Sequence, residues 1–137
     1  MSNRERLEDR AAELGAILAR AYPMAAPHLI GHAVAVMRAK ARWSKQAETN
    51  RCNYGFSDKQ QARHDRAETR AQDACNDALV DVAACGLEHD PVTGKRSVPA
   101  ADRCSRVELG GDPRGPCARL HIPGLAGDGW GDGFAVY

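Results

Sequence analysis

The sequence predicts an α+β fold: a three-helix layer with one long central helix, covered by a small antiparallel β-hairpin or sheet at the C-terminus. Three observations carry this. From Asp58 to Cys85 the chain holds neither Gly nor Pro, as an uninterrupted helix requires. Near the C-terminus, Val107 and Leu109 alternate with Arg106 and Glu108, and Ala118, Leu120 and Ile122 with Cys117, Arg119 and His121, the period of half-buried strands. Between these runs stands Gly111-Asp112-Pro113-Arg114-Gly115, in which Asp, Pro and Gly occupy the first, second and fourth corners that a type I turn selects. A chain of 137 residues is expected to form a single domain. It divides into a helical part (1–86), a loop or insertion (87–103), and a hairpin with a Gly-rich tail (104–137).

In chain order, Ser2 and Glu5 have capping-box spacing, and Leu7, Ala11, Leu14, Leu18 and Ala21 mark one face of a first helix that ends before Pro23. Pro27 suits the first turn of a second helix, with apolar positions Ile30, Ala33, Val34, Met37, Ala41 and Trp43. Cys52–Phe56 is a turn: Asn53 and Gly55 favour it, and Tyr54 and Phe56 are candidate staples. Helices joined this tightly pack antiparallel. Ser57 and Gln60 cap the third helix, and Gly86 is expected to stop it in the left-handed conformation. Ala71, Ala74, Cys75, Ala78, Leu79, Val82 and Cys85 give its C-terminal half an apolar stripe. Its N-terminal half is polar and reads as facing water or a partner. Beyond Gly86, Pro91, Gly94 and Pro99 predict a loop, with a tight turn at Asp90–Gly94. The tail carries Trp130, Phe134 and Tyr137, and its last four residues suit an edge strand.

The net charge of +1 conceals a segregation: residues 1–56 hold nine Lys and Arg against five Asp and Glu, and residues 57–137 ten against thirteen. Such a molecule is polarised, neither basic throughout nor an acidic mimic of DNA. The five cysteines form no CxxC pair and no signal-peptide pattern opens the chain, so a cytoplasmic setting with reduced thiols is expected. The apolar run from Met24 to Met37 is broken by Pro27, His28 and His32 and is too short for a bilayer. No membrane partner is expected.

Chemistry finds little purchase in these residues. There is no nucleophile elbow, HExxH or Walker loop, so the chain reads as a non-enzyme without a cofactor. Cys85-x3-His89 and Cys117-x3-His121 have loosely zinc-like spacing, but structural zinc sites bring a CxxC knuckle. Cys75, Cys85 and Cys117 read more economically as small buried residues, and no metal site is assigned. The 127–133 segment does not follow a strand and open a helix as a phosphate cradle does, and Asp128 with Asp132 lacks the rest of a calcium loop.

Binding is the remaining class. Arg63, Arg66 and Arg70 on the polar half of the third helix, with Asp112 and Arg114 at the hairpin corner, are the candidate partner-binding residues. Arg114 is the corner residue that turn geometry does not require; it either pairs with Asp112 or takes a carboxylate or phosphate in bidentate fashion. The alternative is nucleic-acid contact through the basic end of helix two, Arg38, Arg42, Lys45 and Arg51, with Lys40 between them and Trp43 and Tyr54 as stacking groups. The macrodipole by itself explains some of that basic charge. A homodimer pairing its polar half-helices across a two-fold is a third reading.

The order of parts is similar to that of a diffuse group of small uncharacterised phage and prophage proteins. The likeness covers about residues 43–137: Cys52-Asn53 before the capped helix, Cys85-Gly86-Leu87 at its end, the Asp112-Pro113-Arg114-Gly115 segment with the strand to Pro123, and the closing Gly/Trp tail. It implies a setting: an accessory protein in the host cytoplasm that binds a host or phage protein complex. Counter-defence inhibitors, including those of the anti-CRISPR type that act by occlusion, are one such class.

Overall fold

A computed structural model describes residues 3–94, 106–112, 115–122 and 133–136. Ser2, Cys104, the Pro113–Arg114 corner, Asp128, Trp130, Asp132 and Tyr137 lie outside them, as does the span 95–105 that holds Pro99. The elements are α1 (Asn3–Ala21), a 3-10 turn (Pro23–Ala25), α2 (Ala26–Arg51), α3 (Asp58–His89), the single helical turn α4 (Pro91–Gly94), β1 (Arg106–Asp112), β2 (Gly115–His121) and β3 (Phe134–Val136). Three long helices and a three-stranded antiparallel sheet make the α+β fold.

α1 buries Ala11, Leu14, Leu18 and Ala21 at the spacing that puts them on one face. It ends at Tyr22, whose φ of −135° leaves the helical region before Pro23, as the steric demand of a following proline requires. α2 buries Leu29, Ala33, Val36, Met37, Lys40 and Trp43. Ala33, Met37 and Trp43 lie on this stripe as expected, while Leu29, Val36 and Lys40 are buried where Ile30, Val34 and Ala41 were expected. Ile30 is 67% exposed and Ala41 faces solvent, while Val34 is half-buried. Two adjacent apolar residues, Leu29 and Ile30, make the phase ambiguous, and packing against α1 and α3 selects Leu29.

Gly55, at φ +80°, turns the chain after α2, and the Phe56 N–H donates to Asn53 O at 3.2 Å. Tyr54 points away at 94% exposure, so only Phe56 acts as a staple, stacked on His64 at 4.6 Å between ring centroids. The α3 cap is the predicted box: Gln60 N–H donates to Ser57 Oγ (3.2 Å) and Ser57 N–H to Gln60 Oε1 (2.8 Å). α3 then runs unbroken antiparallel to α2, as the pairs Asn53/Gln61, Asn50/Glu68 and His28/His89 require. Cys75, Leu79, Val82, Ala83 and Cys85 are buried, Ala71 and Ala78 are packed at the core's margin, and Ala74 is exposed.

Gly86 does not stop α3. The helix continues to His89, and among the described residues only Gly55 and Gly133 have positive φ. Gly86 serves packing: a Cβ there would lie 2.6 Å from the ring of Tyr22. The stop belongs to Asp90, which leaves the helix at φ −138° while its N–H donates to Gly86 O (2.9 Å). Its fully buried carboxylate accepts from Met24 N at 2.8 Å, satisfying an orphan donor of the 3-10 turn and joining the two chain reversals. Asp90–Gly94 is therefore a cap followed by a helical turn.

In the sheet β2 is central, paired with β1 from Arg106↔His121 to Asp112↔Gly115 and with β3 from Ala118↔Val136 to Leu120↔Phe134. The expected edge strand is thus β3. Ala118, Leu120, Ile122, Phe134 and Val136 close the core over α2 and α3. Burial of each large aliphatic contributes about 1.5–3 kcal/mol. Arg119, expected in solvent, is buried. Gly133 is required where it stands, because a Cβ would strike the Leu120 carbonyl.

Candidate interaction surfaces

The polar half of α3 divides its residues between two faces. Gln61, His64 and Glu68 turn inward to α2. Asn53 Nδ2 donates to Gln61 Oε1 (3.0 Å), Gln46 Nε2 to His64 Nδ1 (3.2 Å), and Asn50 Nδ2 to His64 O (3.3 Å) and Glu68 Oε2 (3.2 Å). Gln46 also donates to Asn50 Oδ1 at 2.8 Å. The seam between these half-helices is built from amides, and it accounts for a polar stretch that the sequence assigned wholly to water or a partner.

Arg63, Arg66 and Arg70 turn outward and share an exposed stripe with Lys59. The stripe continues in the same direction through Asp73, Asp77, Asp81, Ala84 and Glu88, all exposed, at steps of three and four residues that keep one face. Its first half is basic and its second acidic. The acidic half was missed because the C-terminal part of α3 was read for its apolar stripe alone; the spacing held the signal. Asp112 lies in the last ladder pair of the hairpin, opposite Gly115, and Arg114 is outside the described residues. The neighbouring hairpin residues Gly110 and Pro116 line one cleft with Glu68 and Gln72 from the inward side of α3, a side of that helix other than the one that carries the three arginines.

The basic end of α2 is also divided. Arg38, Arg42 and Lys45 form an exposed stripe. Trp43 is 3% exposed and cannot stack on a base from that position. Lys40 is 2% exposed, donates to Ser44 Oγ at 2.9 Å and lies 5.7 Å from the centroid of the Trp43 ring. Desolvation lowers its pKa, Arg10 adds to the effect, and the Cys75 and Cys117 thiols oppose it. Arg51 faces an open cleft of about 520 Å³ beneath the hairpin, with Trp43, Glu48, Glu68, Leu109 and Pro116 among its lining. Trp43 Nε1 has no hydrogen-bond partner among the described residues.

The cysteine and histidine pairs are not brought together. His28 and His89 stack at 3.9 Å with the Cys85 Sγ 3.8 Å from His28 O, while His121 bonds Glu108 Oε2 at 3.0 Å on the sheet. Burial pushes the Cys75 and Cys85 thiols up in pKa. Among the described residues no helix is long and apolar enough to cross a membrane, and no three His, Cys, Asp or Glu side chains are grouped to hold a metal ion. No family model, curated protein or solved structure matches the chain.

Proposed function

We propose that this chain is a phage or mobile-element accessory protein of the host cytoplasm that acts by binding, without chemistry, and that it blocks part of a bacterial defence complex in the manner of an anti-CRISPR inhibitor. The observation that carries the binding reading is the outward face of α3. There Arg63, Arg66 and Arg70 stand exposed on a rigid helix and are not ion-paired with any described residue. The resemblance to small phage proteins supplies the setting. A helix fixed along its length by a core at one end and an amide seam at the other presents its charges with little ordering cost on association.

The test is phage plating on strains carrying defined defence systems, with the wild-type chain or Arg63→Glu/Arg66→Glu/Arg70→Glu expressed. The wild type is expected to restore plaques and to co-purify with a component of that system, and the triple variant to do neither. A chain that protects no phage and captures no defence component sinks the reading. Contact with nucleic acid through Arg38, Arg42 and Lys45 remains the second reading, supported by their shared exposed stripe. It requires affinity that falls steeply with salt, because phosphate contacts release counterions.

A further inference from the structure

The outward face of α3 is charged against the helix that carries it. Lys59, Arg63, Arg66 and Arg70 occupy the N-terminal half, and Asp73, Asp77, Asp81 and Glu88 the C-terminal half, and in the terminal turns Lys59 and Glu88 run against the macrodipole. Lys59/Arg63, Arg66/Arg70, Asp73/Asp77 and Asp77/Asp81 are like-charged neighbours at i,i+4, which repel. None of the eight is ion-paired with another described residue. A face made only for water intersperses its signs so that such neighbours attract. This one is sorted into two blocks, and two blocks of opposite sign form a pattern that complements its own reverse.

We infer that the occupant of this face is a second copy of the chain, lying antiparallel along α3 across a two-fold axis that passes between Arg70 and Asp73. With both helices rising equally per residue, reversal sets Arg70 opposite Asp73, Arg66 opposite Asp77 and Arg63 opposite Val80, one residue from Asp81, and the symmetry repeats each pair. Lys59 falls opposite Ala84, one turn from Glu88. Ala84 on the stripe and Val80 at its edge, 48% exposed, let the backbones approach and supply the apolar contact. The inference rests on the reading of this face as a docking surface and seats a second copy there in place of the defence component, so the occluding unit is a dimer that meets its target through its remaining surface. Its contacts are mostly ionic and solvent-accessible at the rim, so they are sensitive to screening.

The test is the mass in solution of the purified full chain. At low salt the wild type is expected as two chains, with a dissociation constant that rises about tenfold or more as salt shortens the screening length from ~20 Å toward ~4 Å. Arg63→Glu/Arg66→Glu/Arg70→Glu and Asp73→Lys/Asp77→Lys/Asp81→Lys are each expected to be monomeric, and an equimolar mixture to form a heterodimer. Both sets of substitutions place good helix formers on an exposed face, so helicity is retained, as circular dichroism reads. If either fails to fold, Arg66→Gln and Asp77→Asn replace them, each weakening the dimer roughly fivefold. A wild type of single-chain mass at every concentration and salt overturns the inference. So does a dimer that both triple variants retain. A monomer that still restores plaques overturns the pairing and leaves the binding reading; a charge-dependent dimer that protects nothing does the reverse.

Discussion

Gly86 sits where α3 passes beneath the ring of Tyr22, itself 1% exposed and held by Tyr22 N–H to Leu18 O at 2.8 Å. Gly86→Ala gains helix propensity worth about 1 kcal/mol, but the added Cβ meets ring carbons that cannot retreat. Overpacking of this kind costs about 1–3 kcal/mol, so a net loss of stability is expected in urea unfolding. In a Tyr22→Leu background the same change should become neutral or stabilising. Lys40 behaves in the opposite way. Its folded pKa lies below 10.5 because burial disfavours the charge, so the unfolded chain holds the proton more tightly. The penalty is present at neutral pH and disappears as pH rises through the folded value toward 10.5. Lys40→Met should therefore be more stable than the wild type at pH 7 by about 1 kcal/mol, and thermal melts should show that advantage shrinking as pH approaches 10. That Gly86 and Lys40 were read as a helix stop and a solvent-facing base has one cause: a single sequence gives a residue's preference but not its neighbours, and only Tyr22 and Cys75 reveal the packing role.

Along α3 the two halves are held by different forces. Cys75, Leu79, Val82 and Ala83 are sealed in the core that α2, the 3-10 turn and the sheet form over α3, whereas Gln61, His64 and Glu68 are held to α2 by hydrogen bonds near solvent. A net hydrogen bond contributes about 0.5–1.5 kcal/mol, less than a fully buried Leu or Val. Native-state hydrogen exchange should show amides from Gln61 to Glu68 opening at lower free energy than those from Cys75 to Cys85. Equal protection along the helix would show that the seam and the core open as one unit. The cap at Ser57, the continuity of α3 and the alternation of Ala118, Leu120 and Ile122 were legible because each depends on residues close in sequence. The seam was not. Gln46, Asn50 and His64 are ordinary solvent residues until α2 and α3 are laid side by side.

At the scale of the molecule, α3 spends one direction on the shared core and, along its whole length, the opposite direction on charge. The three-helix layer, the long third helix and the covering sheet could be read from periodicity; the phase of α2 could not, since Leu29 and Ile30 offer two apolar faces. Arg63, Arg66 and Arg70 were identifiable as candidates, but their relation to Asp73, Asp77 and Asp81 emerges only when one stripe is followed over the whole helix. The amide seam also has a consequence for how this chain can vary over generations. Side-chain amides match donor to acceptor at fixed rungs, where aliphatic knobs would tolerate sliding into a neighbouring hole. Inserting or deleting a turn in one of the two paired helices would leave Asn50 and Gln61 facing strangers. Length changes here should come as matched pairs in both helices, or be confined to the hinge at Asn53–Phe56.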